Sequence, residues 1–131
     1  MADAGLRSEL LTLLGALDDG SRGVCHFDLH PLNVLVGPDN WVVIDWITVA
    51  AGPSGADLAR TLVLWARRGT GPVARFLQVV RREGQARRGL TDEHVDAWVR
   101  VIAAARVAEG FGGEERAWLL RVASGTEPLF A

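Results

Sequence analysis

The stretch "HFDLHPLNVLV", His26 to Val36, sets two histidines, an aspartate and an asparagine within eight positions and then turns apolar. Three different structures are written this way: a metal site, a phosphoryl-transfer loop, and a capped turn leading into a buried strand. What surrounds the stretch has to decide among them.

Downstream, "NVLV" (33–36) and "WVVIDW" (41–46) are rich in β-branched and aromatic residues, and "GPDN" between them is a turn signal. The pair predicts a β-hairpin with a four-residue loop. Upstream, "GVCHF" (23–27) is a short apolar approach. Before it, Leu6, Leu10, Leu13, Leu14 and Leu17 keep one face of a helix over residues 3 to 17 apolar, and Asp18-Asp19-Gly20 stops it. After the hairpin the chain reads as helical. One helix starts near Asp57, behind Gly52-Pro53, and ends at Gly69. Pro72 suits the first turn of the next, which carries Val73, Phe76, Leu77 and Val80 at helical spacing. Thr91, with Asp92 and Glu93 behind it, caps a helix whose apolar face holds Val95, Trp98, Ile102 and Ala105. Gly110, Gly112 and Gly113 separate that helix from a last one around Trp118 to Val122. A two-stranded hairpin is marginal in water unless something packs on it. The expectation is therefore an α+β, mostly helical single domain over residues 1–131, in which about five helices cover a hairpin that carries the polar cluster.

With 49% apolar and 23% charged residues, the composition is that of an ordinary globular chain. A formal charge of −2 gives no electrostatic footprint for nucleic acid or an anionic membrane, and neither is expected as a partner. No apolar run reaches the length of a membrane span, and the N-terminus lacks the layout of a signal peptide. The single cysteine, Cys25, excludes an internal disulfide and any CxxC motif, and with these absences points to the cytoplasm. All 14 basic residues are arginine, so lysine chemistry is excluded from these 131 residues. The pairs Arg67-Arg68, Arg81-Arg82 and Arg87-Arg88 read as solvated helix faces.

Spacing gives the polar cluster its chemistry. Asn33 stands where the first strand begins and Asp45 near where the second ends, and those two ends are neighbours in an antiparallel hairpin. One neutral and one anionic oxygen suit a hard cation such as Mg²⁺, which takes few protein ligands plus phosphate and water. Asp28 would project from the preceding loop toward the same place, where a carboxylate can accept a hydroxyl proton as that oxygen attacks phosphorus.

"HFDLHPLN" fits the kinase catalytic-loop pattern H-R-D-L-x-x-x-N at His26, Asp28, Leu29 and Asn33. Together with "VVIDW" and "GPSGADLAR", it resembles the aminoglycoside phosphotransferase family, small-molecule kinases of the protein-kinase-like fold. The resemblance spans residues 26 to 60 and implies a kinase-like C-lobe whose hairpin carries the catalytic and metal-binding segments. By the same resemblance Asp28 is the catalytic base, and Asn33 and Asp45 hold Mg²⁺ and, through it, ATP or GTP. Asp57 looks like the aspartate that braces the catalytic loop, with His26 and His30 supporting it. The implied reaction moves the ATP γ-phosphate to a hydroxyl of a small molecule such as an aminoglycoside or macrolide, the chemistry of antibiotic resistance. Glu109, Glu114 and Glu115 are candidates to face a cationic acceptor.

Two departures stand out. Family members often have glycine at the positions of Phe27 and Leu32. The family's N-lobe, with its glycine-rich turn and β3 lysine, has no counterpart in the residues that precede the loop. The expectation is an N-lobe supplied by a longer product or a partner chain, or else a truncated, inactive C-lobe that is a binding or vestigial domain. A metallohydrolase using His26, Asp28 and His30 directly is the remaining alternative, short of further ligands because only His94 is left.

Overall fold

The computed structural model describes residues 4–68 and 70–129. Asp3 and Gly69, expected as the first residue of one helix and the last of another, lie outside the described residues. The chain adopts the mostly helical α+β architecture read from its sequence. In order it forms α1 (Ala4–Leu17), β1 (Gly23–Cys25), β2 (Val34–Val36), β3 (Trp41–Val43), β4 (Ala50–Gly52), α2 (Ser54–Trp65), α3 (Pro72–Arg88), α4 (Asp92–Val107) and α5 (Gly113–Ser124).

Helix α2 sits at the centre, against α3 on one side and α4 on the other, while α4 also packs on α1 and α5. The core is continuous: Leu58, Ala59, Leu62 and Val63 of α2 meet Leu77 of α3, Val95, Val99 and Ala103 of α4, and Leu119 and Val122 of α5. Trp98 and Trp118 are buried within it, as helical core spacing requires. In α4 the stripe is turned from the expected one: Val95, Trp98, Val99 and Ala103 are buried, Ile102 partly so, and Ala105 exposed. A period of 3.6 leaves that one-residue ambiguity open until a neighbouring helix chooses the face.

Local chemistry explains where the helices begin and end. Pro72 stands at the start of α3, and Gly89, in the left-handed region at φ 65, closes it. The Thr91 side chain accepts from His94 N at the start of α4. Helix α2 starts at Ser54, earlier than the position near Asp57 read from the sequence, because Pro53 at its N-cap presets the extended entry. Asp57 therefore lies inside the first turn, where the helix dipole favours a carboxylate.

The sheets are two separate antiparallel pairs, β1 with β4 and β2 with β3. The hairpin β2–β3 runs in the register Val34↔Val43, with Gly37 N bonded to Asn40 O across its turn. Its second strand stops at Val43 rather than Trp46, because Asp45 has φ 60 and leaves the extended region. The helices do not cover this hairpin as expected: Val36 is 67% and Trp41 73% exposed. The second pair, β1 with β4, has its register at Cys25↔Ala50, and β1 lies against α2.

Helices α2 and α4 touch at Gly55, where an added Cβ would lie 2.7 Å from two atoms of the Trp98 ring. A buried indole cannot move aside cheaply. Gly55→Ala is expected to lower stability by about 1–3 kcal/mol despite alanine's better helix propensity, measured by urea unfolding.

Candidate functional site

The loop between β1 and β2 is shaped first by its two histidines. Pro31 restricts His30 to an extended backbone, φ −155 and ψ 169, and starts a single 3-10 turn over Pro31–Asn33. The His30 ring caps that turn, its Nδ1 accepting from Leu32 N at 3.2 Å. His26 repeats the device one step earlier, with Nδ1 accepting from Asp28 N at 3.1 Å. Since a backbone N–H can only donate, these bonds assign the neutral tautomer protonated at Nε2 to both rings. The Nε2–H of His26 donates to Ile44 O at 2.9 Å, tying the loop to the residue before Asp45. Only 3% exposed, His26 is held further by an edge contact with Trp46, ring centroids 4.6 Å apart. The Nε2 of His30 faces Asp28 Oδ1 at 3.7 Å, beyond hydrogen-bond length, and its ring lies 5.1 Å from Trp65.

Backbone strain marks the same loop. Phe27 at φ 63 and Asp45 at φ 60 are the described non-glycine residues in the left-handed region. Such a residue costs about 1–3 kcal/mol and persists only where its surroundings over-determine it. For Phe27 they do. Asp57 Oδ1 accepts from Phe27 N at 2.8 Å and Oδ2 from His26 N at 3.1 Å. Arg60 Nε donates to Phe27 O at 3.0 Å, and Thr61 Oγ1 to Leu29 O at 2.9 Å. Residues 57, 60 and 61 share one face of α2, so a single helix holds the loop at four backbone atoms. Thr48 adds a fifth, donating to His26 O at 2.7 Å. The sequence reading found Asp57 but missed Arg60, Thr61 and Thr48, although the i+3 and i+4 positions after Asp57 could have flagged the first two.

Around this frame stand Asp28, Asn33 and Asp45. Asn33 is 6% exposed, and its Nδ2 donates to Asp28 O at 2.8 Å and to Asp28 Oδ2 at 3.4 Å. The carbonyl acceptor fixes the amide orientation and leaves Oδ1 with no hydrogen bond among the described residues. Ile44 N donates to Asn33 O at 2.8 Å, extending the β2–β3 register by one pair and setting Asp45 one residue beyond Asn33's partner. The exposed Asp45 carboxylate has no hydrogen-bond or ion-pair partner among the described residues. An amide oxygen and a carboxylate, both unbonded among the described residues and one register position apart, are oxygen donors of the kind Mg²⁺ takes. No group of three or more His, Cys, Asp or Glu side chains suited to a metal ion occurs among the described residues. With both His26 nitrogens and the His30 Nδ1 already engaged, a site built on the two histidines finds little support.

Two of the three acids expected to face an acceptor are otherwise employed, while Glu115 has no hydrogen-bond or ion-pair partner among the described residues. Glu109 bonds Arg60 Nη1 at 2.6 Å and Arg106 Nη1, and Glu114 bonds Arg121 at 3.2 Å. Burial works against Glu109's charge, but Arg60 and Arg106 outweigh it and hold its carboxyl below the usual glutamate range. Burial pushes the Cys25 thiol up, and the nearby Asp57 charge adds to the effect, so Cys25 is an unreactive core thiol. Two concavities, of about 520 and 660 Å³, are lined from α1, α4 and α5 and from α3, α4, α5 and the residues after α5. Neither includes a residue of the loop.

A sequence model described as the phosphotransferase enzyme family (APH) matches residues 2–92, taking in the loop, the hairpin and α2. The chain belongs to this family, as "HFDLHPLN", "VVIDW" and "GPSGADLAR" together led one to expect. No curated protein and no solved structure matches the chain significantly.

Asp57→Ala would strand two backbone N–H groups now bonded to a charge, at about 1.5–3 kcal/mol each. Urea unfolding should show a loss of about 3 kcal/mol or more. Glu109 supplies a pH dependence of known sign. Its folded pKa is depressed, so its contribution is present above the ordinary glutamate range and is lost as pH falls through the folded value. A Glu109→Gln chain should accordingly show a shallower loss of stability with acidification, read from thermal midpoints across that range.

Proposed function

We propose that this chain is the kinase-like C-lobe of a small-molecule phosphotransferase that moves the γ-phosphate of ATP, or of GTP, to a hydroxyl such as that of an aminoglycoside or macrolide. The observation that carries the reading is the set of oxygens that accept no hydrogen bond among the described residues around the strained loop: Asp28 Oδ1, Asn33 Oδ1 and the Asp45 carboxylate. Asp28 accepts the acceptor's proton as its oxygen bonds to the γ-phosphorus and the bond from phosphorus to the nucleoside diphosphate breaks. Asn33 Nδ2 orients that carboxylate at 3.4 Å, while His30 Nε2–H faces its other oxygen from 3.7 Å. Asn33 Oδ1 and Asp45 would hold Mg²⁺, which when bound neutralises charge on the phosphate oxygens. His26 and Asp57 support the loop without touching substrate.

The other half of a nucleotide cleft has to come from outside these 131 residues. The family's phosphate-binding lysine has no counterpart here, because the chain contains none. An uncovered apolar surface is available to seat that half: Val24, Val36, Trp41 and Ile47 are all exposed, beside the loop. That surface, with the paired state of Glu109 and Glu114, also moves the search for acceptor contacts away from those acids. A cytoplasmic location fits the buried free thiol and the need for a nucleotide. The second reading, an inactive C-lobe that serves as a binding or vestigial domain, draws on the same absence of lysine.

Calorimetric titration of the chain with ATP separates the two. The phosphotransferase reading expects heat that requires Mg²⁺, disappears in Asp45→Ala and persists in Asp28→Asn, whose role is in transfer rather than binding. No heat with the wild-type chain would favour the inactive lobe.

A further inference from the structure

We infer that Arg60, oriented by Glu109, is a positioning residue for the loop that carries Asp28, and that it couples this loop to the turn between α4 and α5. The inference rests on the function proposed for Asp28, but its geometry stands apart from it. Phe27 is a bulky residue held in the left-handed region, and both of its backbone polar atoms end on charged groups of α2: its N–H on Asp57 and its carbonyl on Arg60. Asp57 alone secures the amide side of the residue. The carbonyl side, which belongs to the peptide linking Phe27 to Asp28, depends on Arg60 Nε at 3.0 Å.

A long arginine side chain is a poor fixture unless its other end is also held. Here it is. Nη1 of Arg60 bonds Glu109 Oε1 at 2.6 Å, and the second oxygen of Glu109 bonds Arg106, which in turn lies 4.3 Å over the Phe111 ring. The planar guanidinium spans the carbonyl on one edge and the carboxylate on the other, which an ammonium could not do in one geometry. Glu109 sits just past α4, in a turn held by its N–H bond to Arg106 O and followed by glycines at 110, 112 and 113, so the last link in the chain is the turn between α4 and α5. Anything that shifts this turn, such as an acceptor lying against it, shifts the support of the peptide before Asp28.

Backbone and side-chain NMR of the isotopically labelled chain tests this without requiring turnover. Glu109→Gln and Arg60→Met are compared with wild type by amide shifts, by hydrogen exchange and by the ¹⁵N shifts of the His26 imidazole, whose Nδ1 accepts from Asp28 N. Both variants are expected to move the Phe27 and Asp28 amides and the His26 nitrogens, and to raise exchange at Phe27 N–H about ten-fold or more. Exchange at Val95 and Leu119 in the core should stay as in wild type. Unchanged loop shifts in Glu109→Gln, the milder variant and the one least able to disturb folding, overturn the coupling to the α4–α5 turn. A rise in exchange shared equally by loop and core reduces Arg60 to a general stabiliser and overturns its positioning role. Failure of ATP to bind in calorimetry would instead remove the function proposed for Asp28 and leave these shifts as they are.

Discussion

A single carboxylate, Asp57, accepts from the consecutive backbone amides of His26 and Phe27, and the shape of the loop depends on it. Magnitudes show why that bond pair is sufficient. The left-handed Phe27 costs about 1–3 kcal/mol, whereas a hydrogen bond to a charged group contributes about 1.5–3 kcal/mol. Two such bonds exceed the strain, and Asp57 comes to them already favoured by the dipole of the first turn of α2. The frequent glycine of the family at this position gains the same backbone conformation without strain. In this chain the phenyl ring packs against the core instead, and the carboxylate offsets the conformational cost.

Helix α2 does two jobs because its residues divide cleanly by angle. At roughly 100° per residue, Asp57, Arg60 and Thr61 fall on one arc, and Leu58, Ala59, Leu62 and Val63 on the opposite one. The first arc holds the loop; the second forms the centre of the core against α3 and α4. Gly55, on the apolar arc, lets the Trp98 ring come close enough to fix the helix in rotation. The orientation of the polar arc is therefore set by core packing. Fold and site share one element, and neither can rotate without the other.

Much of this could be read in the sequence, and the reasons differ by element. The β2–β3 hairpin was legible because its turn and its pairing are local, within "NVLVGPDNWVV". The β1–β4 pair was not, since "GVC" and "AAG" carry no strand pattern and meet only after the intervening chain has folded back. The early end of β3 was also hidden, because nothing in "VVIDW" shows that Asp45 turns left-handed. Nor could the sequence tell that the hairpin would remain uncovered, since apolar strand residues read the same whether their cover is a helix of this chain or something else. Site chemistry was legible in its spacing. Its scaffolding through Arg60, Thr61 and Thr48 was not, because those side chains act on backbone atoms 22 to 33 positions away and backbone partners leave no mark in residue identity.

The pattern of used and unused polar atoms in the loop has an electrostatic consequence. Nearly every donor is spent within the fold: the His26 and Phe27 amides on Asp57, the Asp28 amide on His26 Nδ1, the Nε2–H of His26 on Ile44 O, and Asn33 Nδ2 on Asp28. What is left unbonded is oxygen, and two of the three groups are carboxylates with no arginine bonded to either among the described residues. A polyphosphate alone would be repelled from such a surface, and at short range even an effective dielectric near 20 leaves each like-charge contact costing a few kcal/mol. On the proposed reading, Asn33 Oδ1 and Asp45 would hold a cation whose charge offsets this repulsion. Asp28 Oδ2 takes the Asn33 amide while Oδ1, faced by His30 Nε2 at 3.7 Å, accepts no hydrogen bond among the described residues, and on that reading it is the oxygen that would take the proton.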